Sequence, residues 1–201
     1  MKFDAEKSQI VESLQNAAAV AERRQTIPIL ANVRLKTLNG KLEVTATDLE
    51  IQIKTYSELI NIEEEGETTV SARKMSELCR SLPDGEKVNF SLTSGKLTVR
   101  ANNFHADFAT ISPDDFPEIE INEELNPLKI NSSILKRVLT KTSFSMASQD
   151  VRYYLNGMLL EVQGSKINGV ATDGHRLALS SSSSVDSNLE VRNILPRKAV
   201  L

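Results

Sequence analysis

The chain has 201 residues, of which 40% are hydrophobic and 25% are charged, and its formal net charge is −3. These values are typical of a folded globular protein, and an aromatic content of 4% without tryptophan predicts cores made of aliphatic side chains. One cysteine and two histidines exclude an intramolecular disulfide and a Cys/His zinc site, so no metal or other cofactor is expected. No apolar stretch approaches the roughly 20 residues that cross a bilayer, which predicts a cytoplasmic protein with no membrane partner.

Three stretches with apolar residues every 3.6 positions predict helices. They cover residues 10–21, 72–82 and 134–142, and each follows a serine suited to capping, namely Ser8, Ser71, and Ser132 or Ser133. The second and third helices carry bases on the opposite face, at Arg73, Lys74, Arg80, Lys136, Arg137 and Lys141. The acids gather instead in residues 58–67 and 114–124. A charged helix face usually only contacts solvent. Basic helices that recur in register with an internal repeat instead favour a surface that binds an anion.

Between the helices the apolar period changes to two, which predicts strands. These strands lie near residues 42–44, 49–54, 88–92, 97–99 and 155–162. Asn39-Gly40 and Ser94-Gly95 predict tight hairpin turns, and the serine run 180–184 is interpreted as a loop. The predicted unit is a strand, a helix and three strands, used twice per domain. The fold class is α+β, with helices on one face of antiparallel sheets.

An internal repeat sets the predicted domain organisation. Asp48 and Asp173 each close an Ala-Thr-Asp tripeptide and lie 125 residues apart (173 − 48), and apolar positions coincide at this offset without a gap. The acidic, proline-containing stretch 112–127 suits a connector between domains. One domain is therefore predicted over residues 1–122 and a second over residues 123–201. Residues 194–198 resemble residues 70–74, so the second domain is expected to be incomplete and the chain to be a piece of a longer protein.

The sequence contains no arrangement of residues that predicts catalysis. Asp173 and His175 would share one face of a strand, with serines 180–184 nearby as nucleophiles. No nucleophile elbow and no glycine-rich phosphate loop is present, however. A hydrolase is therefore the remotest hypothesis.

Two long blocks, residues 149–158 and 170–178, resemble the bacterial DNA sliding clamp, the β subunit of DNA polymerase III. They read Gln-Asp-Val-Arg-Tyr-Tyr-Leu-Asn-Gly-Met and Val-Ala-Thr-Asp-Gly-His-Arg-Leu-Ala, and shorter likenesses extend from Met1 to Lys198. The resemblance implies a ring of two three-domain protomers, with helices around the hole and sheets outside. This chain would supply the first domain and part of the second, and it would lack the third.

The resemblance also implies a processivity factor that encircles duplex DNA and tethers the polymerase, with no chemistry of its own. Sliding requires contacts to phosphate, because these do not depend on base sequence. The residues that match the family's DNA contacts are Arg24, Arg73, Gln149, Tyr153 and Tyr154, with Arg152 and Lys198 as further candidates.

A second implied site binds short peptide motifs of the DNA polymerase III catalytic subunit, the clamp loader and repair proteins. The matching positions are Leu155, Thr172, Gly174, His175, Arg176 and Leu177. The two leucines would form an apolar floor, and Gly174 would let a ligand approach the backbone. The aliphatic part of Arg176 would pack on the pocket while its charged group stays in solvent. The rest of the pocket is expected to come from residues beyond this chain.

A strand over residues 103–110 is expected to pair with the third domain of another protomer in a full-length homodimer. It would do so through Phe104, Ala106 and Phe108, and without that domain the chain should be monomeric or weakly associated. The alternative to a DNA-encircling scaffold is an interaction module that binds peptides but not DNA. A salt-dependent DNA titration would distinguish the two.

Overall fold

The computed structural model describes residues 1–21, 27–119, 128–183 and 190–201. The chain forms two compact units, Met1–Glu120 (unit 1) and Ile121–Leu201 (unit 2). In both units α-helices pack against antiparallel sheets, which confirms the α+β class predicted from the sequence. In the part of the chain that the structure describes, no helix has the length and apolar content to cross a membrane.

Among its described residues, unit 1 contains two sheets and two α-helices. Its elements are β1 (Lys2–Glu6), α1 (Lys7–Val20), β2 (Asn32–Leu38), β3 (Lys41–Thr47), β4 (Gln52–Glu58), β5 (Asn61–Glu64), β6 (Gly66–Ser71), α2 (Ala72–Ser81), β7 (Lys87–Thr93), β8 (Lys96–Ala101) and β9 (Phe104–Ala109). One sheet has the order β5-β1-β7-β8-β9 and the other β4-β3-β2-β6. The predicted unit of a strand, a helix and three strands occurs twice, as β1-α1-β2-β3-β4 and β6-α2-β7-β8-β9, with β5 between them.

The core of unit 1 joins both sheets and both helices. Leu14 of α1 and Met75 of α2 are almost completely buried, and Phe3 stacks on Phe90 with the ring centroids 4.6 Å apart. Burial of a side chain of this size contributes about 1.5–3 kcal/mol to folding. The chain's one thiol, Cys79, is buried in the same core, and burial raises its pKa to about 12, so it is not a reactive nucleophile.

The first helix begins before the predicted cap. It starts at Lys7, and the backbone N–H of Glu6 donates to Gln9 Oε1 at 2.8 Å, so Ser8 lies inside the first turn. The Lys7 ammonium pairs with Asp84 at 2.8 Å, which ties the start of α1 to the turn after α2.

Both predicted hairpin turns are confirmed. Asn39 and Gly40 have φ values of 51° and 79°, and Ser94 and Gly95 have 48° and 75°. Positive φ at both central residues is the mark of a type I′ turn, whose twist matches that of the flanking strands. The two turns fix the register of the hairpins β2–β3 and β7–β8.

Unit 2 contains one sheet and two helices among its described residues. The elements are α3 (Ser132–Thr142), β10 (Gly157–Gln163), β11 (Lys166–Thr172), β12 (Leu177–Ser183), β13 (Glu190–Pro196) and α4 (Arg197–Val200). The sheet order is β12-β11-β10-β13. α3 is capped by Asn131, whose side chain accepts from Ser133 N at 2.9 Å, so the cap lies one residue before the predicted serines.

The core of unit 2 lies between α3 and one face of this sheet. A Cβ placed on Gly169 of β11 would lie only 2.5 Å from Val138 Cγ1 of α3. Glycine therefore allows the helix to approach the strand closely, and Val138, Met158 and Ile167 are fully buried at the contact.

Besides the two displaced helix caps, three interpretations of local structure from the sequence are wrong. The strand expected from Leu155 begins at Gly157, because Tyr153–Leu155 form a 3-10 turn. Residues 180–183 belong to β12 and not to a loop, since each pairs with a residue of β11, and Ser184 lies outside the described residues. Residues 49–51 form a turn, so β4 begins only at Gln52. In the second case the neighbouring strand decides the structure, because serine has little strand preference of its own.

The 125-residue repeat extends to the pairing of individual residues. Arg34 on β2 lies opposite Thr69 and Thr45, and Leu159, 125 positions later, lies opposite Ile194 and Val170. Each partner is likewise 125 positions from its counterpart. The sheets β4-β3-β2-β6 and β12-β11-β10-β13 therefore have the same topology and register.

Candidate functional site

The repeated Ala-Thr-Asp tripeptide ends in a tight turn in unit 2. Asp173 Oδ1 accepts hydrogen bonds from the backbone N–H groups of Arg176 and His175, both at 3.0 Å. Thr172 Oγ1 accepts from Gly174 N at 3.1 Å and donates to the Arg176 carbonyl at 2.7 Å. The N–H donors of Arg176 and His175 hold the pKa of Asp173 below its usual range. Asp173 and His175 therefore do not share a strand face, and the hydrolase hypothesis loses its geometric basis.

The same turn occurs in unit 1. Asp48 Oδ1 accepts from Glu50 N at 3.1 Å and from Ile51 N at 3.0 Å. The residue with left-handed backbone is Leu49 in unit 1 (φ 76°) and Gly174 in unit 2 (φ 88°). Since the turn forms around a leucine in unit 1, its backbone alone does not require the glycine of unit 2.

A cavity of about 450 Å³ lies on the outer face of the unit 2 sheet, which is the face turned away from α3. Its lining consists of Tyr154, Leu155, Gly157, Leu159, Val170, Ala171, Thr172, Arg192 and Ile194. Of the six residues predicted for a peptide pocket, Leu155 and Thr172 thus line this cavity. Leu155 is buried and can serve as an apolar floor, although it lies in a 3-10 turn and not on a strand.

The other four predicted pocket residues follow directly on Thr172. Leu177 is the register partner of Thr172 and is 65% exposed. Gly174, His175 and Arg176 form the turn between them. The Arg176 side chain donates to Asp173 at 3.0 Å, and its guanidinium carbon lies 5.7 Å from the ring centroid of Phe144, an exposed aromatic residue just after α3.

One row of apolar side chains continues from this cavity across all four strands on the outer face of the unit 2 sheet. The residues Ile194, Leu159, Val170 and Leu179 are successive register partners on β13, β10, β11 and β12 (the outer row of unit 2). Leu179 is 63% exposed and Ile194 is 48% exposed. The solvent-exposed face of an antiparallel sheet usually carries polar side chains. An exposed apolar row on that face therefore indicates an interaction surface.

In unit 1 the corresponding face is covered by the chain itself. The four equivalent positions hold Thr69, Arg34, Thr45 and Lys54 (the outer row of unit 1). Residues 113–119, the connector segment, pack on this row through Phe116, which is only 6% exposed and lies 5.5 Å from the Arg34 guanidinium. Glu118 pairs with Arg34 and, at 3.9 Å, with Lys54. The hydrogen bond from Arg34 holds the pKa of Glu118 below its usual range.

The predicted DNA contacts of unit 2 lie together in residues 147–156. Gln149 is exposed and has φ 60°, and Tyr153 and Tyr154 are 82% and 50% exposed. The two tyrosine rings meet edge to face at 5.9 Å. Neither tyrosine is buried, so both phenol groups are accessible to a ligand.

Arg152 belongs to this segment, and Lys198 follows a residue that contacts it. Arg152 forms a bidentate pair with Asp150, with 3.0 Å from Nε to Oδ1 and 2.9 Å from NH2 to Oδ2. This pair lowers the pKa of Asp150 to about 2. Lys198 is exposed on α4, and the preceding Arg197 donates its backbone N–H to the Asn156 carbonyl at 3.0 Å.

The predicted DNA contacts of unit 1 are only partly described. Arg24 lies outside the described residues. Arg73 is exposed on α2 and pairs with Glu77 at 2.7 Å, which raises the pKa of Arg73. The outer faces of α2 and α3 are basic as predicted, but they are not in register with the repeat. The repeat partner of α3 is α1, and α1 exposes Ser8, Glu12, Gln15, Asn16 and Ala19.

The predicted dimer strand is β9, at one edge of the five-stranded sheet. Phe108 is buried and Ala106 packs against the core of unit 1, whereas Phe104 is 38% exposed. The accessible part of this edge therefore consists of the backbone, Phe104 and the exposed residues His105, Asp107 and Ala109, with Phe108 turned inward.

Models of two protein domains match this sequence in succession. The "DNA polymerase III beta subunit, N-terminal domain" matches residues 1–120, and the "central domain" of the same subunit matches residues 129–201. The chain belongs to the DNA polymerase III beta subunit family. The resemblance seen in residues 149–158 and 170–178 is thereby confirmed.

Curated members and solved structures of the family agree with this assignment. The beta sliding clamp of Pseudomonas aeruginosa is 42% identical over 202 residues, and that of Escherichia coli K12 is 38% identical over 201 residues. A crystal structure of the Pseudomonas aeruginosa clamp bound to griselimycin matches with a TM-score of 0.90 at 42% identity, and the Caulobacter crescentus pol III beta matches with 0.91 at 32%. Each match covers 100% of this chain and 55% of the relative, so the chain spans about half the length of these proteins.

Sequence reasoning misses part of the unit 2 surface. Phe144, Leu159, Val170, Arg192 and Ile194 contact Arg176 or line the cavity but are not among the predicted pocket residues. One signal is present: Met158, Leu159 and Leu160 are consecutive apolar residues, whereas a strand with one wet face should alternate. The positions of the other missed residues depend on how the strands pair, which the local sequence does not determine.

Proposed function

We propose that this chain is part of a ring-forming sliding clamp that encircles duplex DNA and tethers DNA polymerase III in the bacterial cytoplasm. Membership of the beta subunit family supports this function. The observation that carries it is the two-faced character of α2 and α3, each of which buries one face in a core. Their opposite faces expose Arg73, Lys74 and Arg80 on α2, and Lys136, Arg137 and Lys141 on α3.

Exposed lysine and arginine side chains on helices suit a protein that must hold DNA and still slide. Contacts to phosphate are independent of base sequence, so the binding free energy changes little from one position to the next. Tyr153 and Tyr154 add exposed aromatic edges that can pack on sugar or bases without reading them. The protein holds and orients its partners and performs no reaction.

A salt-dependent titration with a short labelled duplex tests DNA binding. We expect weak affinity for this chain, because an open protein lacks topological closure and its phosphate contacts are screened. Arg73→Ala and Arg24→Ala should each weaken binding equally for all sequences and lower the salt slope by about 0.9 per lost contact. Lys166→Ala, at the exposed hairpin of β10 and β11, is the matched control. An unchanged slope in both arginine variants would remove them from the DNA surface.

The second part of the proposal is that the cavity and outer row of unit 2 bind short peptides of the polymerase catalytic subunit, the clamp loader and repair proteins. An extended peptide would place a leucine or phenylalanine over Leu155, Thr172 and Leu177. Leu155→Asp or Leu177→Asp in a full-length clamp should cost about 2 kcal/mol or more of peptide binding, because a carboxylate then has to be desolvated. DNA encirclement should persist. Normal peptide binding by a folded variant in titration calorimetry would refute the pocket.

The full-length protein is proposed to be a homodimeric ring, with β9 and its exposed Phe104 at the interface. An unpaired strand edge offers a row of backbone donors and acceptors to another strand. The chain by itself should be monomeric or weakly associated. Sedimentation that showed a tight two-fold ring of this chain would contradict this part of the proposal.

A further inference from the structure

Arg152 lies between the two parts of unit 2 that the proposed function uses. It belongs to the segment that carries Gln149, Tyr153 and Tyr154, and its guanidinium reaches across to the turn at Gly174. The two contacts of this side chain, with Asp150 and with Gly174, point to a role different from a phosphate contact.

On one side, Asp150 fixes the guanidinium in a single orientation. Besides the bidentate pair, Asp150 Oδ1 accepts the backbone N–H of Arg152 at 2.8 Å. Asp150 is itself held by Asn156, which accepts its N–H at 2.9 Å and donates to its carbonyl at 2.8 Å. A guanidinium paired in this way loses little conformational freedom when it forms further contacts. A lysine ammonium could not form both parallel hydrogen bonds to the carboxylate.

On the other side, the guanidinium lies against the Gly174 backbone, where a side chain at position 174 would contact it. A Cβ built on Gly174 would lie 3.2 Å from Arg152 NH2 and 3.5 Å from NH1. The first distance is shorter than most side-chain contacts and the second is an ordinary van der Waals contact, so the guanidinium lies directly against the Gly174 backbone. This explains a glycine at a turn whose backbone does not require one.

Unit 1 provides the comparison that separates this contact from the folding of the turn. There the equivalent turn has Leu49, which is 53% exposed, and the position equivalent to Arg152 is Ile27. The turn in unit 1 makes the same hydrogen bonds to its aspartate without any guanidinium. The contact of Arg152 with Gly174 is therefore an addition specific to the unit that carries the open apolar surface.

We propose that Arg152 is a positioning residue of the peptide pocket: held by Asp150, it supports the backbone at Gly174 and so fixes His175, Arg176 and Leu177 beside the cavity. This inference rests on the proposed peptide-binding function. It replaces the expectation that Arg152 contacts DNA, because a phosphate would compete with Asp150 for the same N–H donors.

The test uses the 201-residue chain with Arg152→Lys and Asp150→Asn. Both variants keep the positive charge at position 152 and remove the bidentate pair. We expect amide hydrogen exchange at Gly174, His175 and Arg176 to become about tenfold faster in both, because the turn opens more often. The affinity for a fluorescein-labelled hexapeptide ending in Leu-Phe should fall several-fold, while duplex DNA affinity and its salt slope stay unchanged.

Unchanged amide exchange in both variants would overturn the positioning role, whether or not the peptide binds. A phosphate contact predicts the opposite set of results: Asp150→Asn would strengthen DNA binding by freeing the guanidinium and would leave the peptide affinity alone. If a full-length clamp binds no peptide while the exchange rates of this chain change as expected, then the peptide site as proposed is wrong and the contact itself stands. Thermal melts of both variants control for global unfolding, which would speed exchange in β11 as well.

Discussion

The outer row of the four-stranded sheet is polar and covered in unit 1, whereas the equivalent row is apolar and open in unit 2. In unit 1 Arg34 and Lys54 meet Glu118 of the connector segment, and Phe116 is buried on Arg34. In unit 2 the equivalents of Arg34 and Lys54 are Leu159 and Leu179, and the row is exposed beside a cavity. The two sheets share their topology and register, so the difference in polarity between the two rows lies in their side chains.

This difference shows how one fold supports two tasks. A row of cations needs partners of opposite charge, and the chain supplies them from its own connector segment, which makes the face of unit 1 part of the folded structure. A row of aliphatic side chains gains free energy when an apolar ligand removes it from water. The repeat therefore places a structural contact and a candidate binding surface at equivalent positions.

The largest expected effect comes from removing the anchor of the connector segment. Phe116→Ala should lower the free energy of unfolding of unit 1 by about 3 kcal/mol, because it deletes a buried ring and leaves a cavity over Arg34. Urea denaturation measures this loss. Phe144→Ala is the matched control, since Phe144 is 60% exposed, and it should change stability by less than about 0.5 kcal/mol. Equal losses in the two variants would mean that Phe116 does not pack as described.

The next test exchanges the chemistry of the two rows. Leu179→Lys puts the unit 1 residue into unit 2 and should weaken binding of the Leu-Phe hexapeptide at least about tenfold, since an ammonium then faces the apolar ligand. Leu179 is 63% exposed, so folding should be affected by less than about 0.5 kcal/mol. The reciprocal change, Lys54→Leu, should leave peptide binding as it is. Fluorescence anisotropy would show whether the loss is confined to the unit 2 variant.

Much of the fold follows from the sequence, but the contacts of the site do not. Period-two patterns and the Asn39-Gly40 turn predict the hairpins because they act locally. The strand character of residues 180–183 depends on pairing with β11, and the 3-10 turn at Tyr153–Leu155 lies in a stretch whose apolar pattern also fits a strand. The contact between Arg152 and Gly174 joins residues far apart in the chain. No local pattern encodes such a contact, although the resemblance to the clamp family identifies both residues.

The two turns offer a smaller and purely local test. Leu49 has φ 76° without a glycine's freedom, so Leu49→Gly should stabilise unit 1 by about 0.5 kcal/mol as relief of backbone strain outweighs the added chain entropy. Gly174→Leu should destabilise unit 2 by about 1 kcal/mol or more, because the new side chain meets both the strained backbone and Arg152. Chemical denaturation of both variants decides this. The free energy of unfolding should rise in Leu49→Gly and fall in Gly174→Leu. A change in the same direction in both variants would contradict this description of the two turns.

The smallest expected effect is a dependence on pH at the outer row of unit 1 that the outer row of unit 2 lacks. The folded-state pKa of Glu118 lies below its value of 4.5 in an unfolded chain, chiefly because Arg34 donates a hydrogen bond to it. The stabilisation from Glu118 is therefore fully present above pH 4.5 and is lost as the pH falls through the lower folded-state pKa. An NMR titration of the Glu118 carboxyl carbon should give a midpoint below 4.5, with the Phe116 ring signals changing in the same range. Glu118→Gln should abolish that part of the change at Phe116.

The outer row of unit 2 is the control. Its four residues carry no titratable group, so their methyl signals should not change with the Glu118 titration. A midpoint for Glu118 at or above 4.5 would mean that the ion pair with Arg34 does not hold the connector segment.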